Sequence, residues 1–370
     1  MVNVMLAGGI AMVVALLGTP LLIRLLVGRG YGQPIHDDLA LHHVKRGKPT
    51  MGGAVIIGAV LVGYVGSHAT LLALDAADLA RVTTGRITVS ALLVLFLLVG
   101  LGLIGFLDDY TKIREERNLG LTSRQKLAGQ ALVTVAFAAL ALWTTDGAGR
   151  SPASTAVSFV RDTRLDLGFA GPVLGAVLFL LWANLLITGA SNGVNITDGL
   201  DGLATGASVM VFGAYTMISL WQHNEGCAVS PGPTCYPVAD ALDLAVVSAA
   251  VAGACFGFLW WNASPAQIIM GDTGSLSLGA ALAGLAILTR TELLLGILGG
   301  LFVLITVSVI IQVTSFRLTG KRVFRIAPIH HHFELVGWAE ITIVIRFWIV
   351  AGICVLAGLG LFYGEWVGGQ

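Results

Sequence analysis

Charge is what this chain has least of. Only 11% of its 370 residues are Asp, Glu, Lys or Arg, against about 25% in a soluble globular protein. A surface that poor in charge excludes an ordinary water-soluble domain, and the mean hydropathy of +0.87 points to a bilayer. The net charge is zero, and with no zinc-finger or basic-helix pattern there is no case for a nucleic-acid partner. No basic leader precedes the first apolar run, so that run reads as a retained anchor and not as a cleavable signal peptide. Cysteine is scarce as well. Cys255 and Cys354 sit in apolar runs, where a thiol behaves as a small hydrophobe. Cys227 and Cys235 bracket a polar loop, and either pair there or stay free. No internal repeat, low-complexity tract or soluble domain breaks the pattern.

Apolar runs and glycine are abundant. A helix rises about 1.5 Å per residue, so roughly 20 apolar residues cross the hydrocarbon core. Ten runs qualify: 4–27, 51–74, 88–107, 127–144, 169–188, 202–221, 242–261, 276–289, 293–313 and 341–363. The eighth is short, but without it a run of histidines would fall opposite the acidic segments. The segments 29–50, 108–126, 190–201, 262–275 and 314–340 then share one side, with thirteen Lys or Arg against six on the other. Every lysine is on the first side, which the positive-inside rule makes cytoplasmic. The expectation is one all-α integral domain over residues 1–370, with ten spans and both termini extracytoplasmic.

Five carboxylates lie in three of these segments: Asp108 and Asp109 in FLDDYTK, Asp198 and Asp201 in NGVNITDGLDGLA, and Asp272 in MGDTGSLSLG. Carboxylates beside a bilayer are costly to desolvate, so their clustering suggests a bound cation, a bound phosphate, or both. Asp108 and Asp109 stand at the C-terminal end of a helix, where the macrodipole disfavours anions and capping cannot account for them. Lys112 offers a plain ion-pair alternative at i+4 and i+3. Asn195, Asp198 and Asp201 recur every three residues and share one face of a helix, although a cap for the next span is an equally simple use. Asp272 precedes the eighth span and reads either as its N-cap or as a metal-binding carboxylate.

Two further segments add cations. HHVKRGKPTMGG holds Lys45, Lys48 and Thr50 just before the second span, either as a positive-inside anchor or as an anion site. PIHHHFE places His330, His331 and His332 side by side; three adjacent imidazoles do not face one zinc, so phosphate binding or hydrogen-bond donation is the better use. Hard oxygen ligands beside cations imply Mg²⁺ and a phosphorylated substrate.

With these motifs the chain resembles the polyprenyl-phosphate N-acetylhexosamine-1-phosphate transferases. DDYTK, NITDGLDGLATG and GDTGSLSLG mark that superfamily, while KRGKPTMGG and especially PIHHHFE resemble its phospho-N-acetylmuramoyl-pentapeptide branch. The resemblance implies transfer from UDP-MurNAc-pentapeptide to undecaprenyl phosphate with Mg²⁺, giving lipid I and UMP at the cytoplasmic face of a bacterial plasma membrane. A homodimer is compatible with it. By motif, Asp108, Asp109, Asp272 and His331 are the expected catalytic group, with Asp272 on the metal. Lys45, Thr50, Lys112, Asn195, Asp198, Asp201, Asn262, Ile269, Gln312, His330 and His332 are the expected substrate contacts. Ile269 replaces an aromatic common in relatives, and Lys48 replaces a threonine. A UDP-GlcNAc transferase would keep the acidic motifs but lack PIHHHFE. A transporter would carry its ionisable groups near mid-membrane in broken helices.

Overall fold

The computed structural model describes residues 1–28, 48–76, 86–115, 120–146, 149–232 and 234–368. Lys45 lies outside them. In chain order the elements are α1 (Val2–Gly28), α2 (Gly53–Ala76), α3 (Val89–Arg114), α4 (Ser123–Trp143), β1 (Ala156–Ser158), β2 (Asp162–Asp166), α5 (Pro172–Thr197) and α6 (Leu203–Asn224). They continue with α7 (Ala241–Asn262), α8 (Gly271–Leu288), α9 (Leu295–Leu298), α10 (Gly300–Thr319), α11 (Ile329–Val336) and α12 (Glu340–Gly368). Among the described residues, ten helices are long and apolar enough to cross a membrane.

The short eighth span is the hub of the bundle. Every residue of α8 from Thr273 to Leu288 is buried, against α2, α3 and α5. Lipid tails are as apolar as leucine, so helices associate in a membrane by close packing. The Gly, Ala and Ser of GDTGSLSLGAALAGLA permit that approach. The outer helices turn large side chains outward, as Leu181 and Leu185 do on α5.

Three boundaries differ from the sequence expectation. α3 runs on to Arg114 and α5 to Thr197, past the expected span ends at 107 and 188, so Asp108, Asp109 and Asn195 stand inside helices that outlast their apolar runs. Their side chains find partners across the bundle, and the backbone ladder continues past the last apolar residue. The ninth span is broken into α9 and α10 at Gly299 and Gly300, a glycine pair being a common cause of a helix kink.

Both chain ends lie at the end of the bundle away from the acidic segments. Asn3 contacts His68 near the end of α2, and Trp366 packs edge-on against Trp221 near the end of α6. Cys227 and Cys235 are disulfide-bonded at that end. There, too, the β1–β2 hairpin is tied to the α8–α9 turn through Ser158, whose N–H donates to Glu292 at 2.8 Å.

Candidate active site

At the opposite end, α3, α4, α5 and α8 converge. One carboxylate oxygen from each of Asp108, Asp109 and Asp272 falls within 4.8 Å of the others. The three are not equivalent.

Asp108 is fully buried. Its Oδ1 accepts the Leu121 N–H at 2.7 Å, which ties the α3–α4 connection to α3. Its Oδ2 lies 2.6 Å from the Lys112 ammonium and 3.0 Å from that of Lys126. Asp109 turns the other way: Oδ1 accepts the Asp272 N–H at 3.2 Å, and Oδ2 accepts the Thr273 N–H at 3.0 Å and its hydroxyl at 2.8 Å. Asp109 therefore supplies the N-cap of α8 from a different helix. This removes the capping alternative for Asp272, whose side chain is released into the site. There Asp272 Oδ1 accepts Asn195 Nδ2 at 2.8 Å, and Oδ2 meets Lys126 at 2.6 Å and Lys112 at 3.1 Å.

Three carboxylates and two ammonium groups thus balance to within one negative charge. Lys126 was missed by sequence reasoning because SRQKLAGQ reads as the polar start of a span. Its signal was that every lysine of the chain falls on one face. The donor set fits Mg²⁺: the oxygens are hard carboxylates, and Oδ2 of Asp108 and of Asp272 already converge on the same cationic groups.

Gly271 opens α8 with φ +75, a backbone conformation side chains avoid; a Cβ there would also meet Asp109 Oδ2 at 2.6 Å and Thr50 Oγ1 at 2.8 Å. Thr50 is buried against this turn. Its segment is fastened to the turn by backbone bonds from Ile269 N–H to Pro49 and from Gly52 N–H to Ile269. The Ile269 side chain is half-buried at this rim. Lys48 pairs with Asp201 at 3.2 Å, whose carboxylate also accepts the Ala266 N–H at 2.9 Å, while the Asp201 N–H donates to Glu340 at 3.0 Å. Asp201 therefore fastens the Lys48 segment, the α7–α8 connection and the start of α12 together at the rim.

The expected nucleoside contact Asn262 is buried. Its amide accepts the Thr205 hydroxyl at 2.6 Å and donates to the Ile268 carbonyl at 3.0 Å, so it shapes the wall beside Ile269. Gln312 is likewise committed: it accepts the N–H groups of Val323 and Phe324 and donates to the Phe324 carbonyl, folding the α10–α11 connection back. Asp198 closes α5 as its C-cap.

The histidines form the first turns of α11. His330 is buried, His331 is hydrogen-bonded to Glu334, and His332 Nδ1 accepts the Arg325 N–H at 3.1 Å. A Cβ on Gly199 would come within 2.4 Å of His330 Nε2 and 3.1 Å of His331 Nε2. Glycine at this position lets the histidine helix dock directly on the DGLDG segment.

An apolar groove of 310 Å³ between α5 and α10 approaches the cluster from the side of the bundle. It starts at Glu292 and Leu293 and reaches Gly193, Val194 and Thr306, next to Asn195.

The profile of glycosyl transferase family 4 matches residues 91–290. A phospho-N-acetylmuramoyl-pentapeptide-transferase of Kineococcus radiotolerans is 59% identical over 372 residues, covering 99% of each chain. Those of Pseudarthrobacter chlorophenolicus and Streptomyces griseus are each 58% identical, over 99% and 98% of both chains respectively. At that identity from end to end, the chain belongs to the phospho-N-acetylmuramoyl-pentapeptide-transferase family.

Proposed function

We propose that this chain transfers phospho-MurNAc-pentapeptide from UDP-MurNAc-pentapeptide to undecaprenyl phosphate, the first membrane step of peptidoglycan synthesis. An oxygen of the lipid phosphate attacks the phosphorus that bears the sugar. The bond from that phosphorus to the UMP oxygen breaks, giving lipid I and UMP. One observation carries the reading: two ammonium groups and three carboxylates meet at one point, while the histidine helix of this branch docks through Gly199 on the turn that follows Asn195.

Phosphoryl transfer depends on positioning and charge neutralisation. Lys112 and Lys126 supply positive charge for the diphosphate. Asp109 fixes the start of α8 and so the position of Asp272. Asp108 holds both ammoniums through Oδ2. Asp272, with Asp108 beside it, would hold Mg²⁺, which when bound neutralises the diphosphate and improves UMP as a leaving group. Asp109 is committed on both oxygens and Asp108 on Oδ1, which favours direct attack by the lipid phosphate over a phospho-aspartate. The groove between α5 and α10 suits a polyprenyl tail whose phosphate ends beside Asn195.

The same reading makes residues 1–370 one integral domain, places the cluster on the cytoplasmic side of a bacterial plasma membrane, and puts both termini outside. The Lys and Arg bias of the connecting segments supports this orientation. A homodimer belongs to the reading without any residue assigned to its interface. The test is donor choice. With Mg²⁺ and undecaprenyl phosphate, the purified protein should release UMP from UDP-MurNAc-pentapeptide and much less from UDP-GlcNAc. The reverse preference would move it to the sister branch.

A further inference from the structure

The other flank of α10 carries a second groove, of 290 Å³, between α10, α11 and α12. Leu304, Phe333, Phe347 and Val350 are among its apolar walls, and Trp338 and Arg346 complete it. Arg346 lies within the α12 span, six residues past Glu340, or about 9 Å along the axis. Its guanidinium carbon sits 4.1 Å from the centre of the Trp338 ring, and Trp338 stacks on Phe333 at 4.5 Å. Among the described residues no carboxylate pairs with it.

A cation within a span and without a counter-ion is costly in hydrocarbon. Arginine relieves that cost by extending its long stem toward the headgroups, and tryptophan prefers the same level. Ile341, Ile345, Ile349 and Ile353 are exposed along the flank of α12, so this side of the bundle faces lipid. A stacked guanidinium with no paired carboxylate among the described residues therefore suits headgroup depth, beside a slot shaped for a chain.

We infer that this groove binds an anionic phospholipid, with the phosphate on Arg346 and one acyl chain along Leu304 and Val350. The inference rests on the proposed placement of the carboxylate end at a membrane–water interface. The polyprenyl substrate is assigned to the opposite flank of α10, because that groove ends beside Asn195 and this one does not. Ile329 and Phe333 line the phospholipid groove and flank the three histidines, so the bound lipid braces the helix that carries them.

The test uses the full-length protein, stripped of lipid in neutral detergent, and phosphatidylglycerol or phosphatidylcholine with dibrominated chains. Bromine quenches nearby tryptophan; subtracting the signal of Trp338→Phe isolates Trp338 among the eight tryptophans. Half-quenching should need about fivefold less phosphatidylglycerol than phosphatidylcholine, the scale of one basic residue at an anionic surface. Arg346→Gln should abolish the preference, and Leu304→Phe should weaken quenching by both lipids. Equal quenching of the wild-type protein by the two lipids overturns the inference, and that comparison stands even if a variant fails to fold. Displacement of the brominated phosphatidylglycerol by undecaprenyl phosphate but not by plain phosphatidylglycerol would also overturn it, by giving the groove to the substrate. UMP release measured on the same preparations separates this failure from failure of the proposed reaction.

Discussion

The Asp109 carboxylate accepts both the N–H and the hydroxyl of Thr273, so a residue of α3 caps the helix that presents Asp272. Half of the acidic pair thus acts on the geometry of the site through α8. Asp109→Ala should cost about 1 kcal/mol or more of stability, the scale of a lost N-cap, and lower kcat with it. Asp109→Asn keeps one acceptor oxygen and should recover most of the Tm. Alkaline pH should rescue neither variant, since a capping carboxylate moves no proton; restored turnover of Asp109→Asn at high pH would make it a base instead.

Lys126 bonds to both Asp108 and Asp272. Lys126→Met should lower kcat by about 10²-fold, the effect of removing one charged donor from a preorganised site. Asp272→Asn should abolish turnover without full recovery at high Mg²⁺. Steady-state UMP release across a Mg²⁺ series checks both, and a Lys126→Met enzyme at wild-type rate would remove that ammonium from the transition state.

Ile269 stands half-buried at the rim, at the position where the resemblance led to the expectation of an aromatic ring. If uracil lies against it, Ile269→Phe should tighten donor binding by up to about 1 kcal/mol, the scale of one aromatic contact. An unchanged or raised KM for the UDP donor would show that the rim is already filled by the Lys48–Asp201 connection.

At the far end of the bundle, burial pushes Glu292 from 4.5 up to about 7. The folded protein therefore keeps a proton that the unfolded chain releases. Its stability should be highest below the lower value and fall as pH rises, levelling off once pH passes the upper one. Glu292→Gln imitates the protonated form, so wild type and variant should match in acid. Above pH 7 the variant should be the more stable, by up to about 3 kcal/mol. Thermal unfolding at several pH values in detergent reads the difference, and parallel curves would refute it.

Orientation is checked separately. Cysteines placed at Ser123 and Lys321 should react only with reagents admitted to the cytoplasm. Labelling of either from outside intact cells would reverse the topology and put the carboxylate cluster on the outer face.

Much of this was legible beforehand. Ten apolar runs became ten long helices, and the short eighth run is among them as α8, the buried centre of the bundle. The gathering of Asp108, Asp109, Asn195 and Asp272 followed from their motifs. What escaped were relations with no periodic signature. Asp109 reaches Thr273 across 164 positions, and nothing local marks an aspartate that caps someone else's helix. Lys126 resembled the polar start of a span. The bonds that Asn262 and Gln312 make to neighbouring backbone were equally hidden, because a sequence does not say where an amide's bonds go. The break at Gly299 was hidden because a run of apolar letters does not say whether it bends.

The groove between α5 and α10 opens through the flank of the bundle, with Leu185, Val303 and Val307 of its lining exposed there. A tail that enters sideways never leaves oil, whereas the nucleotide it meets arrives from water. In the proposed reaction the two products therefore part into different phases as soon as they form. Lipid I spreads in the plane of the membrane and UMP dilutes into the cytosol. Turnover in either direction then requires a two-dimensional and a three-dimensional search to coincide, so the side-facing groove makes the rate answer separately to the density of lipid in the membrane and to the concentration of nucleotide in water.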